Sequence, residues 1–257
     1  MGLLDKKYCD ICGEKIGLLG NRKLEDGNCC KNCAKKLSPW FNERRHSTVA
    51  EIRQQLAYRE ENQSKAAQFQ ITRELGRDWR VLFDDAHGWF TLTRARDLAG
   101  DNPNILAYSQ LTGSRLDVEE TRHELKRQDK DGKLVSYDPP RYAYSYNFDL
   151  TVTVNSPYFD AMTFRVNPRP VTLESEAPRS FSLTRPIDPT YNIEYRRYKQ
   201  QADEICEAIE TACGKAYAAP EQPQAAPAAP ASGPWTCPAC GAESTGKFCE
   251  YCGTPRP

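Results

Sequence analysis

The sequence predicts an α+β chain in which two small cysteine-built modules flank an antiparallel β domain. Three observations predict it. Eight of the eleven cysteines fall into four Cys-x2-Cys pairs, two near each end of the 257 residues. Between them, apolar residues recur with a period of two, the pattern of strands with one buried and one wet face. Residues 218–234 hold five prolines and seven alanines, the composition of a semi-extended linker. The expected organisation is therefore a first cysteine module over residues 1–46, a connecting helix over 47–68, a β domain with a C-terminal helix over 69–214, a Pro/Ala-rich linker over 215–234 and a second cysteine module over 235–257.

The first module is built on Cys9, Cys12, Cys30 and Cys33, with seventeen residues between the pairs. The last is built on Cys237, Cys240, Cys249 and Cys252, with eight between the pairs. Paired thiols at such spacing are the pattern of a four-thiolate zinc site. Gly13, Gly241 and Gly253 follow the second cysteine of their pairs, where a knuckle turns sharply enough to need positive φ. Ala34, Lys35 and Lys36 follow Cys33 instead, which reads as the start of a helix, whose N-terminus favours thiolate over thiol. Asp26-Gly27 is a turn signal. A knuckle, a short hairpin and a helix give a treble-clef-like module, whereas two knuckles give a small zinc ribbon at the other end. Modules under about 40 residues need such a staple, because they cannot bury a sufficient core. Four protein sulfurs leave no open coordination position, so both zinc ions are expected to be structural rather than catalytic. Cys29 is expected to be a bystander beside Cys30, and Cys206 and Cys213 to be small buried hydrophobes on a helix.

The connecting helix opens on Thr48-Val49-Ala50-Glu51, a capping-box sequence, and runs to about residue 68. Its apolar face is expected at Val49, Ile52, Leu56 and Ala66, and its polar second half is expected to be partly solvated. The clearest strand is 142–154, with Tyr142, Tyr144, Tyr146, Phe148, Leu150, Val152 and Val154 on one parity. Met162, Phe164 and Val166 read as its antiparallel partner. Shorter strands are expected at 79–83, 89–92, 105–108, 116–119, 171–173 and 181–183, with 84–88 as a turn. Such a series of strands implies an antiparallel sandwich or barrel. Asp188-Pro189-Thr190 offers a helix cap, Tyr191, Tyr195, Tyr198, Ala202, Ile205, Ile209 and Ala212 an apolar stripe, and Gly214 a stop.

Two motifs carry a family likeness. The run containing Cys9, Cys12, Gly13, Asp26, Gly27, Cys30 and Cys33 resembles the N-terminal four-cysteine module of an uncharacterised bacterial domain-of-unknown-function family. The tail with Cys237, Cys240, Cys249 and Cys252 is similar to the short zinc ribbon common at bacterial protein ends. Strands followed by one amphipathic helix also resemble the pleckstrin-homology-like fold. The likeness implies zinc binding in the bacterial cytoplasm and no known activity.

Thirty-five basic and thirty-five acidic residues give no net charge, which argues against a chain coated in nucleic acid. The first 47 residues are mildly basic, with ten Lys and Arg against six Asp and Glu. Nucleic-acid binding through Lys15, Arg22, Lys23, Lys31, Lys35, Lys36, Arg44 and Arg45 is the rival reading. No run approaches the ~20 apolar residues of a membrane span, and no apolar core of signal-peptide length follows Met1, so a cytoplasmic protein is expected. His46, His87 and His123 are scattered, and Asp84 and Asp85 read as solvated turn residues, so no catalytic constellation is expected. The favoured function is a non-catalytic adaptor holding two zinc ions and a protein partner, with a lipid or peptide ligand of the β domain as a further alternative by fold analogy alone.

Overall fold

The computed structural model describes residues 7–174, 188–218, 235–244, 251–252 and 254. The chain forms two compact units, Met1–Ala218 and Ala219–Pro257.

The first unit opens with two short hairpins, β1 (Lys7–Tyr8) with β2 (Lys15–Ile16) and β3 (Arg22–Lys23) with β4 (Asn28–Cys29). Helix α1 (Lys31–Lys35) follows, then a 3-10 turn at Glu43–His46 and the long helix α2 (Val49–Gln68). Thr48 caps α2 as expected: its hydroxyl accepts the Glu51 N–H at 3.3 Å, and the Glu51 carboxylate accepts the Thr48 N–H at 2.7 Å.

A four-stranded meander comes next: β5 (Arg73–Gly76), β6 (Arg80–Asp84), β7 (Trp89–Thr93) and β8 (Leu106–Ala107), with α3 (Leu98–Asp101) in the last connection. Strand β9 (Leu111–Gln128) then folds back on β10 (Leu134–Val154). The other edge of β10 carries β11 (Ala161–Arg165) against residues 149–153 and β12 (Val171–Glu174) against residues 143–146, all antiparallel. Helix α4 (Ile193–Ala218) ends the unit. In the second unit β13 (Trp235–Thr236) pairs with β14 (Glu243–Ser244).

The alternation read in 142–154 holds where the sheet is covered. Tyr146, Phe148, Leu150, Val152 and Val154 are buried. On the other face Arg165 holds the Asp149 carboxylate through two hydrogen bonds of 2.8 Å. These side chains share one core with Val81, Phe83, Phe90 and Leu92 of the meander, Met162 and Phe164 of β11, and Ala202, Ile205, Ile209 and Ala212 of α4.

Several expectations need correction. Among the described residues neither four-stranded sheet closes into a barrel. Among the described residues β9 has β10 as its one strand neighbour, and that leaves an edge instead of a seam. The strand expected at 116–119 is one part of an 18-residue strand. It escaped notice because both of its faces are wet beyond residue 116, so no alternation marks it. Pro139 and Pro140 also lie within β10, where a register shift between Ser136 and Arg141 accommodates them. β5 was not expected at all. The strand read at 181–183 lies outside the described residues.

Asn192, not Asp188, caps α4, accepting the Tyr195 N–H at 2.9 Å. Asp188 instead caps a 3-10 turn at Pro189–Tyr191, and Tyr191 is 83% exposed rather than part of the stripe. Gly214 does not stop the helix, which runs on to Ala218. A methyl group at Gly214 would meet nothing within 4 Å. Gly214→Ala is therefore expected to stabilise the unit by about 0.5–1 kcal/mol and raise its melting temperature by about 1–3 °C. A lower melting temperature in calorimetry would contradict this placement.

Asp84 is not a solvated turn residue. It is wholly buried and accepts the N–H groups of Gln70 at 2.8 Å and of Ala86 and His87 at 3.1 Å, with His87 Nδ1 at 2.7 Å. Burial by itself raises its pKa, but these hydrogen bonds outweigh burial and hold the carboxyl below its ordinary value. A folded pKa below the unfolded one contributes stability that is complete above about pH 4 and is lost on further acidification. Asp84→Asn should flatten that acid limb in urea titrations and cost about 1–3 kcal/mol at neutral pH. An unchanged acid limb would contradict the assignment.

Candidate metal centre

The first hairpin turns at a knuckle. The Cys9 N–H bonds to the Glu14 carbonyl at 2.9 Å, and the Gly13 N–H to the Cys9 carbonyl at 2.8 Å. Gly13 takes φ 75°, the left-handed backbone expected of it. The second hairpin brings Cys30 beside this knuckle, so that the Cys30 N–H donates to Cys9 Sγ at 3.2 Å. Cys30 then serves as N-cap of α1, its sulfur accepting the Cys33 N–H at 3.3 Å. The result gathers the sulfurs of Cys9, Cys12, Cys30 and Cys33 to within 4.8 Å of one another. Cys12 Sγ and Cys30 Sγ are 3.8 Å apart. A tetrahedral ion with metal–sulfur bonds of about 2.3 Å needs sulfur–sulfur edges of about 3.8 Å, so the donor set fits such an ion.

The thiols divide by environment. Burial works to raise the Cys9 pKa, but backbone hydrogen bonds from Cys12, Cys30 and Ile11 outweigh it and bring it to about 6. Burial pushes Cys33 up, with the neighbouring thiols adding to the effect. Cys29 is outside the quartet. It is buried and donates to the Cys30 carbonyl at 3.4 Å. Burial, followed by the nearby Cys9 and Cys30 sulfurs, pushes its pKa up to about 12, so it stays a thiol. Cys206 and Cys213 are half-buried and pack against the main core from α4.

At the far end the same knuckle recurs. The Cys237 N–H bonds to the Ala242 carbonyl at 2.9 Å, the Gly241 N–H to the Cys237 carbonyl at 2.8 Å, and Gly241 takes φ 73°. β13 and β14 pair in the same register relative to their cysteines as β1 and β2 do. Cys237, Cys240 and Cys252 converge within 4.8 Å, with Cys237 Sγ and Cys252 Sγ 3.5 Å apart. This triad can also hold a metal ion. The expected fourth ligand, Cys249, and the knuckle residue Gly253 lie outside the described residues.

The first centre is tied to the β domain more closely than a linker helix would allow. Asp26 accepts the Val49 N–H at 2.7 Å, and Arg53 donates to the Asp10 carbonyl at 2.6 Å. Ile52 of α2 is buried in the same cluster as Cys9, Leu24 and Cys33. One turn further on, the buried stripe continues into the polar half of α2, through Gln55, Arg59, Asn62 and Ala66. Arg59 spans the seam, donating to the Lys36 carbonyl on one side and to the Asn102 carbonyl and Asn104 side chain on the other. Asn62 donates to the Pro103 carbonyl and accepts the Ile105 N–H. Asn104 donates to Ser38 at 2.7 Å, and Trp40 packs on Trp79 with ring centroids 5.4 Å apart. The helix is partly solvated, as read from sequence, with Glu60, Glu61, Gln63 and Ser64 exposed, but its buried face continues through Arg59 and Asn62, which meet backbone groups across the seam.

A family model described as a domain of unknown function (DUF4428) matches residues 7–55. The match holds the whole first quartet and continues through Ile52 and Arg53, the residues by which α2 closes over it. No curated protein matches the chain, and no solved structure does. Among the described residues, no helix is long and apolar enough to cross a membrane.

Proposed function

We propose that the protein is a non-catalytic interaction protein held together by structural zinc. The observation that carries this reading is the convergence of four cysteine sulfurs at the first centre. A metal held by four thiolates has no position left for water or substrate, and soft sulfur donors favour zinc over the harder divalent ions. The repeated knuckle at the far end supports a second zinc site, completed by Cys249. Its place on a separate unit, after a Pro/Ala-rich stretch of sequence, supports a tethered docking role. A tether of that kind raises the effective concentration of whatever the tail holds.

Affinity purification with the full chain and with a chain ending at Ala218 tests the role of the tail. A protein partner that the full chain captures should be lost from the shorter one. An identical set of partners from both baits would contradict the docking role.

Two other readings have observations behind them. Lys15, Lys23, Lys31 and Lys35 are exposed on the first module, which favours a phosphate backbone as its ligand. No binding of a DNA or RNA duplex even at low salt would end that reading. The pleckstrin-homology-like reading, and with it a lipid or peptide ligand, is supported by the order of elements: a four-stranded meander, a second antiparallel sheet and a terminal helix. Vesicle flotation with anionic lipid tests the lipid form of it.

A further inference from the structure

We propose that two copies of the chain pair through the free edge of β9, with His123 on the two-fold axis. β9 is an 18-residue strand, and among the described residues its one strand neighbour is β10. From Asp117 to Gln128 its side chains are exposed, except for the half-buried Thr121 and Leu125. The irregularity that takes up Pro139 and Pro140 lies on β10, so β9 itself carries no proline and stays straight opposite residues 141–152. A long, regular, uncovered edge offers its backbone N–H and C=O groups to another strand.

The charges along that edge decide which strand. In an antiparallel pair, residues directly opposite each other share a face and interact. With His123 opposite His123 of the second copy, Glu119 falls opposite Arg127, Glu120 opposite Lys126 and Arg122 opposite Glu124. Each pair occurs twice, and all of them join opposite charges. The two nearest registers that keep the same faces matched set Arg122 against Arg122 or Glu124 against Glu124, so like charges sit on the axis. The edge thus selects its own sequence in one register, while its charges discourage a neutral or apolar strand.

Contacts inside the exposed arm formed by β9 residues 117–128 and the β10 residues paired with them leave this pattern accessible. Arg122 lies over the Tyr142 ring at 4.7 Å and Arg127 over Tyr137 at 5.9 Å, which holds both stems along the arm. Among the described residues, Glu124 and Lys126 enter no salt bridge. Glu119 lies 3.8 Å from Arg165 of its own chain and accepts from Asn147 at 3.3 Å, and Glu120 meets the hydroxyl of the buried Tyr146 opposite it on β10, so a test must not depend on those two residues alone. The partner that fits is a second copy of this chain, joined isologously.

Sedimentation of the full chain at about 100 µM in roughly 50 mM salt should give a dimer, which dissociates as salt is raised tenfold. Two exposed-site variants give the decisive comparison. Glu119→Lys with Glu120→Lys, and separately Lys126→Glu with Arg127→Glu, should each be monomeric and retain wild-type near-UV circular dichroism. Mixed in equal amounts, the two should form a heterodimer, because every reversed charge then meets its opposite. A monomeric wild-type chain would overturn the proposal, including one that binds a DNA duplex through the arm. So would a dimer that survives either reversal, or a mixture that stays monomeric.

Discussion

Arg59→Ala is expected to destabilise the first unit by about 3 kcal/mol, the largest effect of any single polar substitution in it. The guanidinium is buried and serves three acceptors at once, the carbonyls of Lys36 and Asn102 and the side chain of Asn104. Hydrogen bonds from a charged donor contribute about 1.5–3 kcal/mol each in favourable cases, and removing the donor also leaves its acceptors buried without a partner. The stem carries packing of its own between the first module and the α3 connection, which truncation forfeits. Urea unfolding of the full chain, followed by tryptophan fluorescence, reads this directly because Trp40 and Trp79 meet at the same seam. Glu60→Ala, one residue along on the exposed face of α2, is the control and should stay within about 0.5 kcal/mol of wild type. Equal midpoints for the two variants would show that the seam contributes nothing.

Removing the metal from the first centre, by chelation or by Cys9→Ser, should unfold residues 7–46 and loosen α2 along with them. The buried cluster around the quartet adds only Cys29, Ile16, Leu24, Leu37 and Ile52, with Ile11, Ala34, Phe41, Val49 and Leu56 half-buried at its rim. That is too little apolar surface to hold a module of this size. In comparable peptides zinc supplies about 10–16 kcal/mol of folding free energy, so its loss is not offset by what remains. The damage spreads because Ile52 loses its pocket, Asp26 no longer accepts the Val49 N–H, and Arg59 loses the Lys36 carbonyl. Hydrogen exchange should therefore show full loss of protection over 7–46, partial loss along α2, and continued protection in β6, β7 and β10, whose core is separate. If α2 keeps its wild-type protection, module and helix are independent and the seam has been overestimated.

Parts of this architecture were legible because the residues that build them have few alternative uses. Cys9-x2-Cys12 with Gly13 and Cys237-x2-Cys240 with Gly241 announce knuckles, and Thr48 with Glu51 announces a helix start. The regular alternation from Tyr146 to Val154 announces a strand under a core. What was missed shares one physical cause: polar residues in places where hydrophobicity is the usual guide. The stripe of α2 runs Ile52, Gln55, Arg59, Asn62, Ala66, spaced as a helix face should be. Arg59 and Asn62 are polar because they satisfy carbonyls and amides of residues 102–105, whereas the buried Gln55 amide meets no hydrogen-bond partner among the described residues. Read by spacing alone, the stripe could have been found. β9 was hidden in the same way, since a strand with two wet faces has no alternation to reveal it. Asp84 passed for a turn residue because nothing in Asp-Asp-Ala-His-Gly tells which carboxylate turns inward. Cys249 remains a reading from spacing and from the repetition of the knuckle.

The central claim is that sulfur closes a metal centre at each end of the chain. X-ray absorption at the zinc edge, on protein whose metal content has been measured, tests it most directly. The account predicts two zinc ions per chain, each surrounded by four sulfurs at about 2.3 Å. A single ion per chain, or a nitrogen or oxygen ligand in the coordination shell, would contradict it.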